Sequence, residues 1–136
     1  MKTQLRSAIG VDIVEISRLR RSSKKWGKHF LSKIYTPREL DYSKSKRFPE
    51  QHLAARFAAK EAVFKALGEV EREFVGWKNI EILNNPAGKP YLVWHGLAEK
   101  VRKRRGICQA AISLSHTEHY AVATAMLQFK PARLAK

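Results

Sequence analysis

Cysteine is nearly absent: Cys108 is the single one among 136 residues. That excludes an intrachain disulfide and any cysteine metal cluster, and leaves Cys108 to be read as a small core residue. No apolar run is long enough to span a bilayer, and the first residues lack the pattern of a secretory signal. Repeats and low-complexity tracts are missing too. A cytoplasmic location with no membrane partner is therefore expected. Acidic side chains are scarce, with 12 Asp+Glu against 27 Lys+Arg and a formal net charge of +15. A field of that sign draws polyanions: nucleic acid, an acidic protein, an anionic membrane or a phosphorylated small molecule.

The 44% hydrophobic content and the length suit one domain, residues 1–136, with a real core. Its centre is a helix with Pro49 near its start, the run Arg56–Leu67 in its body and Gly68 just past its end. Leu53, Phe57, Phe64 and Leu67 form one stripe; the opposite side is almost all alanine, from Ala54 to Ala66. A helix apolar nearly all round is buried, and an alanine face lets a neighbour approach closely. Yet it carries Arg56, Lys60, Glu61 and Lys65, and buried charges must be paired, hold a metal or meet a charged ligand. Two readings stand. One is an internal ion-pair set, Glu61 with Lys65, while Arg56 and Lys60 snorkel to water. The other is an anion and metal site with Glu61 as ligand or base.

Met1–Ser7 reads as a loose lead, and Ile9–Ile16 as a strand in which Asp12 interrupts an apolar run, as turn residue or as metal ligand. Ser17 is a candidate cap for a basic helix from Arg18 to Trp26, with Leu19 and Trp26 as inward anchors. That helix is a solvated face or a surface for a negatively charged partner. Phe30–Tyr35 is a second apolar segment. Thr36, Pro37 and Glu39 form a capping box for a short helix ending near Ser43, and Lys44–Arg47 is a basic turn. Glu69–Glu73 is an acidic loop, Trp77–Leu83 a strand, Asn84–Gly88 a turn and Lys89–Trp94 its antiparallel partner. Gly96–Arg105 is an amphipathic helix with a basic end that suits the helix dipole. Ala110–Ser115 and Tyr120–Phe129 are strands, and the basic tail 130–136 is expected to fray. The order predicts an α+β fold, a mainly antiparallel sheet packed against the long buried central helix. His116 and His119 flank a turn and are expected to hydrogen-bond rather than bind zinc; His29, His52 and His95 are expected to be structural or solvent-facing. Trp26, Trp77 and Trp94 are expected in the core or at subunit contacts.

The stretches Gly10–Ile16, Arg56–Ala62, Gly88–Pro90, Ser113–Thr117 and His119–Ala123, in that order, resemble the short-chain 4′-phosphopantetheinyl transferases of the holo-[acyl-carrier-protein] synthase type. The resemblance runs from about Ile9 to Phe129. It implies Mg²⁺-dependent transfer of the phosphopantetheine arm of coenzyme A to a serine of an acidic acyl carrier protein, with release of 3′,5′-ADP. It places Asp12 and Glu61 on Mg²⁺, and Lys65 beside the phosphates. Lys46, Arg47 and Arg56 fall near the 3′-phosphate, with Lys60 and His116 as further coenzyme A residues. Gly88, Lys89, Pro90 and Ser113 fall along the adenosine pocket. Arg18, with Arg21 and Lys25, would dock the carrier protein, and the assembly would be a homotrimer with shared active sites. Glu61 would take the serine proton, directly or through a water, and Lys65 would stabilise the leaving group. Two hard-cation ligands plus substrate phosphates are what Mg²⁺ prefers. The chain departs from the pattern at Ala111, where many relatives carry histidine, and after Gly68, where Glu69-Val70-Glu71 replaces a Gly-Thr-Gly loop. The alternatives are a basic nucleic-acid-binding module, which leaves Asp12 and Glu61 unexplained, and an inactive relative that only binds coenzyme A or a carrier protein.

Overall fold

The computed structural model describes residues 6–68 and 75–131. The acidic loop Glu69–Glu73, the first five residues of the lead and the tail from 132 lie outside the described residues.

The elements are β1 (Arg6–Glu15), α1 (Ile16–Ile34), α2 (Pro37–Lys44), α3 (Pro49–Leu67), a 3-10 turn (Trp77–Asn79), β2 (Ile80–Asn84), β3 (Pro90–Trp94), α4 (Gly96–Arg105), β4 (Ile107–His116) and β5 (Tyr120–Phe129). One antiparallel sheet has the order β1-β5-β4, and β2 and β3 form a separate antiparallel hairpin. The expected α+β architecture is therefore the one observed. Strand alternation puts Ala121, Ala123, Ala125, Leu127 and Phe129 of β5 on the inner face, all buried. They meet the alanine side of α3, where Ala58, Ala59 and Ala62 are fully buried. Small residues on both partners bring helix and sheet close.

Several boundaries differ from the sequence reading. β1 starts at Arg6, inside the expected lead, because its whole length pairs with β5 from Arg6↔Phe129 to Glu15↔Tyr120. α1 begins at Ile16 without a side-chain cap, so Ser17 lies in its first turn. Gly27, at φ 67°, breaks α1, and Trp26 beside it is 59% exposed rather than an anchor. Leu19 still lies over the core, but seven residues on, about 10 Å along the axis, the helix has run past it. Residues 77–79 turn as a 3-10 segment before the strand starts at Ile80. β4 starts at Ile107, and its register against β5 shifts between Ile107 and Gln109. Cys108 is the extra residue of that bulge, which puts it on the surface and not in the core. The Thr36–Glu39 capping box, α2, α4 and β5 are as expected. Gly106, in the left-handed region at φ 69°, ends α4.

Candidate functional site

Asp12 shares the inner side of β1 with Gly10 and Val14, facing α3. Gly10 has no Cβ to hold the helix off, so β1 runs under Ala62. Asp12 and Glu61 consequently line one cleft of about 660 Å³, with Arg18 of α1 and Tyr120 of β5 at its edges and Leu19, Phe30 and Phe57 as apolar wall. Glu61 is 9% exposed. Lys65 reaches across to β1, where its Nζ donates to Asp12 Oδ1 and to the Val11 carbonyl, each at 3.0 Å. Arg18, Arg21 and Lys25 are exposed on α1. Tyr120, read in the sequence only as the start of a strand, enters the cleft because β5 begins opposite Glu15.

Lys60 does not join this site, and it does not snorkel. Both it and Glu39 are fully buried, with Nζ 2.8 Å from Glu39 Oε1, 2.5 Å from the Ile80 carbonyl and 3.0 Å from the Trp77 carbonyl. Three acceptors use all three ammonium protons, so none is left for a phosphate. Glu39 in turn accepts from the Thr36 and Ile82 amides. Burial pulls the Lys60 ammonium down from its ordinary pKa, and the Glu39 carboxylate opposes that fall. The pair locks α2, α3 and β2 together.

On another flank of α3 a second cluster forms. Arg56 is 1% exposed, so it does not snorkel either. Its guanidinium lies 4.3 Å from the Tyr42 ring centroid and donates from Nη2 to Asn84 Oδ1, while its Nε has no partner. Burial lowers the Arg56 pKa, offset by Glu39 and Tyr42. Asn84 Nδ2 donates to the Gly88 carbonyl at 2.9 Å, which fixes the turn carrying Lys89 and leading into Pro90. Lys46 Nζ stands 4.7 Å from the same Tyr42 ring. Arg47 turns instead to Phe48. His52 packs edge-on against both Tyr42 and His116, each at 5.9 Å between centroids. Thus Lys46, Arg56, Gly88 and His116 do gather, and Tyr42, His52 and Asn84 join them unpredicted. Position 52 lies four before Arg56, on the same helical face, which was the available signal. Ser113 does not gather with them: it is exposed on the outer sheet face, in register with Thr124 and Val11. Ala111 shares that outer face, whereas His116 is of the opposite strand parity, so His116 cannot stand in for an Ala111 side chain within one chain.

Among the described residues no group of three or more His, Cys, Asp or Glu could hold a metal ion. Three carboxylates line the cleft, Asp12, Glu15 and Glu61. Glu15 is exposed with the outer parity of β1, which leaves Asp12 and Glu61 as the inward oxygen donors, beside open space for further ligands. That fits a hard cation such as Mg²⁺, which commonly completes its shell with substrate phosphates and water. Among the described residues no helix is long and apolar enough to cross a membrane.

Comparison with known proteins points the same way. The family model of the 4′-phosphopantetheinyl transferase superfamily matches residues 8–125. The chain is similar to the holo-[acyl-carrier-protein] synthase of Koribacter versatilis, 45% identical over 119 residues, covering 88% of this chain and 95% of that one. Its fold is similar to the crystal structure of the same enzyme from Neisseria meningitidis (TM-score 0.78, 34% identity, 88% and 96% covered). It is also similar to the coenzyme A complex of the Chronobacterium ammoniagenes synthase (TM-score 0.81, 30% identity, 92% and 98% covered).

Proposed function

The chain belongs to the holo-[acyl-carrier-protein] synthases of the 4′-phosphopantetheinyl transferase superfamily, and on that footing we propose that it moves the phosphopantetheine arm of coenzyme A onto a serine of an acidic apo acyl carrier protein. The observation that carries the reading is the meeting of Asp12 and Glu61 in one cleft beside Arg18. The serine oxygen attacks the phosphorus that bears the pantetheine arm; the bond from that phosphorus to the bridging oxygen breaks, and 3′,5′-ADP leaves.

Asp12 and Glu61 would hold Mg²⁺. When bound, it neutralises the pyrophosphate and polarises the phosphorus under attack. Glu61 accepts the serine proton, directly or through a water. Lys65, already on Asp12, supplies positive charge where the leaving phosphate gains negative charge. Lys46 and Arg56 receive the 3′-phosphate, and the Gly88–Pro90 turn borders the nucleoside. Arg18, Arg21 and Lys25 meet the acidic carrier protein at the mouth of the cleft. The nucleotide cluster and the carboxylate cleft lie on different flanks of α3. Outside them, Ile9, Val11 and Ile13 are 69%, 56% and 65% exposed on one sheet face. Both features support a homotrimer in which one coenzyme A spans two subunits. A cytoplasmic setting follows from the substrates.

A polyanionic nucleic-acid backbone would meet the carboxylates of the cleft unfavourably, so that reading is not favoured. The test is intact-mass analysis of an apo carrier protein incubated with this protein, coenzyme A and Mg²⁺. A gain of one phosphopantetheine, lost with chelator and lost in Glu61→Gln, is expected. Absence of any gain across several carriers would sink the assignment.

A further inference from the structure

His52 stands where basic side chains gather from three directions. Lys46 of the turn after α2, Arg56 of α3 itself and His116 of β4 face it, and the Tyr42 ring of α2 packs against it. Burial first, then the charges of Arg56, His116 and Lys46, pushes its imidazole below the usual histidine range. The neighbouring Arg56 is 1% exposed and leaves its Nε donor unpaired. A buried donor without a partner costs free energy until an acceptor arrives. A cluster of this kind is underneutralised, and the group that satisfies it is a phosphate monoester. Such a group carries close to two negative charges at neutral pH and three acceptor oxygens.

We propose that His52 is a further nucleotide-binding residue, which takes up a proton from solvent when a phosphate monoester docks among Lys46, Arg56 and His116. The proposal rests on the coenzyme A reading of this cluster and adds to it a proton. The dianion reverses the local field, so that the imidazolium, disfavoured in the empty site, becomes a charge-assisted donor. Affinity for a nucleotide bearing a 3′-phosphate then strengthens as pH falls from 8 toward 6, whereas a nucleotide without it lacks this term.

The experiment is calorimetric titration of 3′,5′-ADP and of dephospho-coenzyme A, which has no phosphate monoester, into the protein with Mg²⁺ at pH 7, in two buffers of different ionisation enthalpy. The expected result is uptake of a sizeable fraction of a proton with 3′,5′-ADP and little with dephospho-coenzyme A. His52→Gln, which keeps a polar side chain but cannot be protonated, should abolish that difference and weaken 3′,5′-ADP roughly tenfold. Binding of 3′,5′-ADP with no uptake, or with uptake unchanged in His52→Gln, overturns the role of His52 and leaves the transferase reading standing. Failure of both 3′,5′-ADP and coenzyme A to bind overturns both.

Discussion

Gly10 of β1 and Ala62 of α3 touch backbone to backbone: a Cβ on Gly10 would lie 1.9 Å from the Ala62 carbonyl oxygen. Gly10 is two residues from Asp12 on the same side of the strand, and Ala62 is next to Glu61. The contact therefore sets how near the two carboxylates come. Gly10→Ala must push strand and helix apart, and overpacking of this kind costs about 1–3 kcal/mol. The expected outcome is a melting temperature lower by at least about 3 °C and a higher Mg²⁺ concentration for half-maximal transfer. Thermal unfolding and a metal titration of activity check it; an unchanged metal requirement would show that the spacing does not matter.

Lys60 and Lys65 are five residues apart on one helix and predict opposite phenotypes. Lys60→Met strands the buried Glu39 carboxylate and should cost about 3–5 kcal/mol in urea unfolding. Adding Glu39→Gln should recover part of that loss. Lys65→Met removes an exposed ammonium from Asp12, so unfolding should barely shift while transfer falls sharply. A stable Lys60→Met protein with weak coenzyme A binding would return Lys60 to the phosphate site.

The contrast also marks what was legible in the sequence. Apolar period, alanine face, capping box and turn residues located α2, α3, the β2–β3 hairpin and β5, because those signals are local. Asp12 and Glu61 stood out because a carboxylate in an apolar run needs a reason. The fate of Lys60 was not legible, since its partner Glu39 lies 21 residues away and was fully accounted for as a capping residue. Cys108 and Trp26 were misplaced for the same cause: a bulge in β4 and a kink at Gly27 depend on pairing and packing, not on local pattern. The His52 cluster needed three elements to meet before it existed.

Glu81 gives the fold an acid limit. It is 1% exposed and accepts from Thr36 Oγ1 at 2.5 Å and from Arg38 at 2.5 and 3.2 Å, with His95 at 2.9 Å. Burial pushes its carboxyl up, but the bonds from Thr36, His95 and Arg38 outweigh that and hold it below the ordinary 4.5. A depressed carboxylate stabilises the fold fully above its unfolded pKa, and this contribution disappears as pH falls through the folded one. Stability should therefore drop below about pH 4.5. Glu81→Gln should be less stable at pH 7 and should lose less between pH 5 and pH 3, as read from melting temperatures across that range. Parallel pH curves for the two proteins would remove Glu81 from the account.

The two halves of the proposed site lie on different flanks of α3, and the exposed stripe of Ile9, Val11 and Ile13 offers the surface through which copies could bring them together. Val11 stands in register with Thr124, mid-strand, so Val11→Glu puts a charge at the middle of that face. Light scattering should show the wild type at three times the chain mass and Val11→Glu at one, with transfer lost in step. Sharing can be tested separately by complementation. Glu61→Gln lacks the carboxylate half and Lys46→Glu lacks the nucleotide half, and each alone should be inactive or nearly so. In mixed trimers a subunit with an intact cleft meets a neighbour with an intact nucleotide cluster at roughly one interface in four, given a head-to-tail ring. Co-refolding the two variants should thus restore up to about a quarter of wild-type activity. If the mixture stays as inactive as its parts while the trimer forms, each chain builds its own complete site, and the separation seen across α3 must be bridged within one subunit.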